Sequence, residues 1–209
     1  MPLSPYALEK FVSQGISKLN NLSITNLKKE FPERESWYGN FVLNLMFHSH
    51  IEPGREGFAY LTIRRAQAAL NSWETICHLA SVINPQNISA YFDALESVEH
   101  LIAAMWQGID FARKSLQIDV FSQHDGSEYE RLNGIYNFSR HFDPESLPEG
   151  YLHAIWLTED GVSCIGEKGT EWHIKYNELR EILLMLGRVA SAIANNKKPE
   201  SEAAKVRPG

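Results

Sequence analysis

Between Arg131 and His141 the chain reads Arg-Leu-Asn-Gly-Ile-Tyr-Asn-Phe-Ser-Arg-His, and Asn133, Asn137, Arg140 and His141 recur at i, i+4, i+7 and i+8. At roughly 100° per residue that spacing puts them on one face of a helix. The face is polar without being a run of solvating Lys and Glu. Its groups suit a phosphate: a guanidinium binds the anion bidentately, the amides fix its orientation, and an imidazole can move a proton near neutral pH. The same groups have a plainer use. Asn137 and His141 can bond neighbouring helices or backbone and simply close the helix end.

Other constellations carry less. His48-Ser-His50 with Glu52 offers three metal donors within five residues, the basis of an alternative reading as a metal-dependent helical-bundle enzyme. No Glu-x-x-His occurs, so the di-iron arrangement of ferritin-like bundles is unsupported, and Glu74/His78 and Glu96/His100 read as surface i, i+4 contacts. No metal or cofactor is assigned. Arg64-Arg65 reads as the solvent side of an amphipathic helix. Trp73, Trp106, Trp156 and Trp172 fall in different elements, which favours core packing over a platform for bases. No phosphate-binding Gly-rich loop and no Gly-x-Ser-x-Gly turn is present.

The elements that must position the 131–141 face follow from periodicity. Ser127-Glu-Tyr-Glu130 forms a capping box ahead of Leu132, Ile135, Tyr136 and Phe142, and Asp143-Pro144 stops that helix. Upstream, Ser4-Pro5 starts a helix carrying Leu8, Phe11, Val12, Ile16 and Leu19. Ile24, Leu27 and Phe31 suggest a brief turn, and Trp37, Phe41, Leu45 and His48 a second helix. After Pro53-Gly54 a long stripe runs through Phe58, Leu61, Ala66, Ala69, Leu70, Trp73, Ile76, Cys77, Ala80 and Ile83 to Asn84-Pro85. Ser89 can cap the next helix, with Phe92, Leu95, Val98, Ile102, Met105, Trp106 and Ile109 in phase. Two long helices joined by so short a loop should pack antiparallel at the centre.

From Tyr151 the pattern changes. Glu159-Asp-Gly161 and Glu167-Lys-Gly169 divide Leu152 to Thr158, Val162 to Ile165 and Trp172 to Tyr176 into three short strands. A last helix from about Asn177 shows Leu179, Ile182, Leu183, Leu186, Val189, Ala190 and Ile193 on one face. The expected fold is all-α: a single bundle of five to six helices over residues 1–195, with an antiparallel β-meander at about 151–176. Residues 196–209 hold two prolines and little apolar surface, and are expected to form a flexible tail.

A net charge of −6 argues against wrapping long nucleic acids, though not against a small basic site. No window approaches the roughly twenty apolar residues of a membrane span, and Met1 to Lys10 lacks the order of a signal peptide, so the expected setting is the cytoplasm, with no membrane partner. Cys77 and Cys164 read as two buried thiols.

Tyr136-Asn-Phe-Ser-Arg-His141, late in a helical bundle and followed by a loop, resembles the signature helix of HEPN domains (higher eukaryotes and prokaryotes nucleotide-binding). That pattern is Arg, a polar residue such as Asn, a few residues, then His. Active members are metal-independent ribonucleases of toxin and defence systems, whose Arg and His meet across a dimer. Asn137 and His141 match, but Tyr136 stands where the arginine belongs. Tyrosine cannot supply the fixed charge that offsets a developing phosphorane.

The resemblance implies a prokaryotic RNA- or nucleotide-binding protein, a ribonuclease or a degenerate relative of one. It implies a homodimer and, in a toxin system, an antitoxin or other protein partner. In this assignment His141 is general acid or base and Arg140 stabilises the phosphate, with Arg131, Asn133, Tyr136 and Asn137 binding substrate. Arg140 is better phased than Arg131 to replace the missing arginine. The alternative is a noncatalytic protein whose polar face organises a homodimer or docks a partner.

Overall fold

The structure, a computed structural model, describes residues 4–20, 22–47, 51–84, 87–117, 124–140, 147, 154–166 and 169–197. Six helices, α1 (Pro5–Phe11), α2 (Trp37–Phe47), α3 (Glu56–Ala80), α4 (Ile88–Leu116), α5 (Glu128–Arg140) and α6 (Tyr176–Ala194), enclose one core. A sheet of β1 (Ile155–Leu157), β2 (Gly161–Ile165) and β3 (Glu171–Lys175) precedes α6. The mainly helical architecture with a small meander before the last helix is the expected one. The 196–209 tail lies outside the described residues save for Asn196 and Lys197.

α3 and α4 bury many small residues. Ala59, Ala66 and Ala69 on α3 and Ala90, Ala94, Ala104 and Ala112 on α4 are all buried, which lets the two backbones approach closely. The helices run antiparallel: Arg55 at the start of α3 donates through Nη1 to the Lys114 carbonyl at the end of α4, at 2.5 Å. α6 lies against the same pair, and Leu186 fills the space a side chain at Gly108 would need. All seven apolar residues expected on the last helix are buried.

Polar contacts fasten the N-terminal segment to this centre. Trp73 donates from Nε1 to the Thr25 carbonyl at 2.9 Å, and Tyr91 from its hydroxyl to Ser13 at 2.6 Å. Arg34 grips Glu74 with both guanidinium nitrogens, at 2.6 and 3.2 Å. Glu74 is thereby an anchor for an incoming segment, not half of a Glu74/His78 pair.

Several sequence expectations shift in detail. α1 ends at Phe11 with Val12 as its cap, and Phe11 is exposed; after a left-handed turn at Gly15, φ 73°, Ile16 and Leu19 reach the core from a separate 3₁₀ turn. Asn87, not Ser89, caps α4, its side chain accepting from the Ala90 amide. Phe92 is exposed, because it falls between buried Tyr91 and Ala94 on the outer edge of the stripe. Arg65 is half-buried with its stem beside Gly108, so only Arg64 of that pair faces solvent.

Both cysteines are free thiols, Cys164 buried and Cys77 half-buried. Burial pushes the Cys164 thiol up to about 12 and, together with the nearby Glu74 charge, pushes Cys77 up to about 11. Two units above the ordinary thiol value mean roughly a hundredfold less thiolate near neutral pH. Native protein is therefore expected to react with a disulfide reagent slowly at Cys77 and not detectably at Cys164. Equal, rapid labelling of both would show that this packing is wrong.

Candidate functional site

The 131–140 face sits on α5, which starts as its sequence dictates. Ser127 Oγ accepts from the Glu130 amide at 3.3 Å. The Glu130 carboxylate departs from the expected box by taking the Gly126 and His124 amides instead, at 2.8 and 2.6 Å. α5 then docks on the sheet at two glycines. The Trp172 ring of β3 lies against Gly134, and the Phe138 ring occupies the space where Gly166 lacks a side chain.

Tyr136 is buried, and its hydroxyl accepts from Gln107 Nε2 of α4 at 3.3 Å and from Arg140 Nη1 at 2.8 Å. The Arg140 guanidinium lies 5.6 Å from the Tyr136 ring centroid, and the Trp106 ring lies 6.2 Å from it on another side. One turn of helix thus delivers a surface guanidinium onto an aromatic base, a contact worth about 0.5–1 kcal/mol at an exposed site. Asn137, exposed, donates to Asn133 at 3.2 Å, so the two amides form a pair along the same helix.

Arg131 points elsewhere. It donates to the Gly126 carbonyl and to Glu178 at the start of α6, both at 2.7 Å, and the same carboxylate accepts the Lys175 amide at 2.9 Å. An arginine committed to joining α5 to α6 is a poor ligand for substrate. The structure therefore brings together Tyr136 with Arg140 and Asn133 with Asn137, and sets Arg131 apart. His141 lies outside the described residues, as do His48 and His50. Glu52, the third donor of that set, accepts from Arg55 at 2.9 Å and from Gln117 at 2.6 Å. Among the described residues no group of three or more His, Cys, Asp or Glu side chains is arranged to hold a metal ion.

Two other polar places were not singled out from the sequence. Ser163 and His173 are cross-strand partners, with Ser163 Oγ 2.9 Å from His173 Nδ1 and Asp160 3.4 Å from Nε2. Their equal distance from the 167–169 turn is the signal that pairs them. In a serine-hydrolase triad the serine sits on Nε2 and the carboxylate on Nδ1. Here the ring is reversed, and the trio serves as a latch on the hairpin.

Burial raises the Asp160 carboxyl, but the Thr158 hydroxyl and His173 outweigh it and hold the group below its usual value. A depressed folded value stabilises above the unfolded value of about 3.9 and is lost as pH falls through the folded one. Asp160→Asn is accordingly expected to lower urea resistance modestly near neutrality and to flatten its loss below about pH 4. A wild-type slope in the variant would remove this role.

The second place is an open cleft of about 620 Å³ where α3 begins and α4 ends, lined by Pro53, Gly54, Arg55, Phe58, Arg113, Lys114 and Gln117. Its cations are largely answered in place: Arg55 by Glu52, and Arg113 and Lys114 by Asp110 at 3.5 and 2.6 Å. Among the described residues no helix is long and apolar enough to cross a membrane. Comparison with family models, with curated proteins and with solved structures gives no match to this chain.

Proposed function

We propose that this chain is a HEPN-like cytoplasmic protein of a prokaryotic toxin or defence system that binds RNA or a nucleotide on the α5 face, with Arg140 as the phosphate-binding cation. The observation that supports this is the Tyr136–Arg140 contact, 2.8 Å from hydroxyl to guanidinium with the cation 5.6 Å from the ring. Tyr136 occupies the place of the signature arginine and holds Arg140 beside it, so the charge is kept one helical turn on. Asn133 and Asn137 would orient the bound phosphate, and His141 would exchange a proton with the ribose hydroxyl or the leaving oxygen. A homodimer completes such a site, because one helix presents too few groups to surround a phosphodiester. In a toxin system an antitoxin is the matching protein partner.

The experiment is titration of a labelled single-stranded RNA and of a nucleoside triphosphate, followed by anisotropy. Wild type is expected to bind one of them, and Arg140→Ala to weaken binding roughly tenfold or more, the loss of one charge-assisted bidentate contact. Tyr136→Phe, which keeps the ring but loses the hydroxyl, should cost only a few-fold. Cleavage in the presence of a chelator that His141→Ala abolishes would make the protein a ribonuclease; binding without cleavage would make it the degenerate relative. No binding by wild type, or undiminished binding by Arg140→Ala, sinks the proposal.

A further inference from the structure

We propose that two copies of this chain associate through α2, a surface separate from the α5 face and independent of what that face binds. α2, Trp-Tyr-Gly-Asn-Phe-Val-Leu-Asn-Leu-Met-Phe, is the one helix of the six without a charged side chain. Trp37 and Phe41 face inward, and Asn40 and Asn44 bond Asn195 and the Ala194 carbonyl at the end of α6. The opposite side stays open: Val42 and Leu43 are about half exposed and Met46 and Phe47 are 71% exposed. A helix apolar on all sides is ordinarily buried on all sides.

The second copy is favoured by area, charge and shape. Val42, Leu43, Leu45, Met46 and Phe47 with Tyr60 of α3 present on the order of 600 Å² of apolar surface, near the roughly 800 Å² per partner of a standard interface. Chains of net charge −6 repel, and two such chains meet at less cost on a helix that carries no charged side chain of its own. In the middle of the open side is Gly39, and a side chain there would meet nothing within 4 Å. Packing within the chain therefore gives no reason for a helix-weakening glycine, whereas a partner helix crossing at Gly39 does, because it can approach the backbone closely.

Light scattering and sedimentation velocity on the full chain, over a range reaching high micromolar concentration, test this. The expected result is self-association through α2 that Val42→Glu/Met46→Glu removes, halving the mass of the wild-type assembly with an unchanged helical circular-dichroism spectrum. Gly39→Gln, which has open space in the single chain, keeps the fold and raises the dimer dissociation constant at least tenfold. A wild type that stays monomeric throughout overturns the proposal, as does an assembly whose mass neither variant lowers. Should the double glutamate variant misfold, the Gly39→Gln result alone decides in the same way.

Discussion

Gly161→Ala is expected to separate β2 from β3. A methyl group at this position would lie 2.1 Å from the Ile174 carbonyl oxygen and 2.9 Å from the Lys175 Cα, inside any distance a real side chain tolerates. The obstacle is backbone, so no rotamer change relieves it, and the hairpin must open where Gly161 faces Lys175. Thr158, which donates to the Gly161 carbonyl, and Tyr176, which donates to the Asp160 carbonyl, lose their geometry with it. Since Tyr176 begins α6, the damage reaches the helix that lies across the central pair. A cost of about 3 kcal/mol or more is expected, at the upper end of overpacking effects. Thermal unfolding should fall by roughly 10 °C in a chain of this size. A variant within a degree or two of wild type would mean that the sheet register is wrong.

Trp73→Ala should be comparably severe by the opposite route. Trp73 is 1% exposed, and truncation leaves a cavity in the middle of α3 at a cost of about 3–5 kcal/mol. It also strips the Thr25 carbonyl of its indole donor, adding about 1 kcal/mol where that carbonyl cannot reach water. Trp73→Phe, which keeps most of the volume, should recover over half the loss in urea unfolding. Equal losses in the two variants would assign the whole effect to the hydrogen bond and none to packing.

Amphipathic period was enough to place the long elements. The stripe from Ala66 to Ala80 and the face from Leu179 to Ile193 lie where their spacing puts them, because a buried helical stripe leaves a repeated mark in sequence. Interruptions by conformation rather than composition were harder to see. The first helix stops at Phe11 and the chain turns left-handed at Gly15, and Phe11 is exposed although it fits the helical spacing. Arg65 was read as solvated because charge alone does not reveal a stem lying beside Gly108.

At the candidate site, period paired Asn133 with Asn137, while Arg140 bonds Tyr136 and not the two amides. Period could not show that Arg131 is taken by Glu178, 47 residues on, since no local pattern encodes so distant a partner. Ser163 and His173 were recoverable in principle from the turn between them. α2 gave a different lesson: its lack of charge was plain in sequence, but the burial of only Trp37 and Phe41 needed the packed structure.

The Glu178 carboxylate, which receives both Arg131 and the Lys175 amide, has a bearing on motion. α5 cannot lift away without breaking that clasp, and its departure also uncovers Trp172 and releases Phe138 from Gly166. The helix, the hairpin and the first turn of α6 are therefore expected to open as one sub-global unit in native-state amide exchange, with a shared opening free energy below that of the α3–α4 pair.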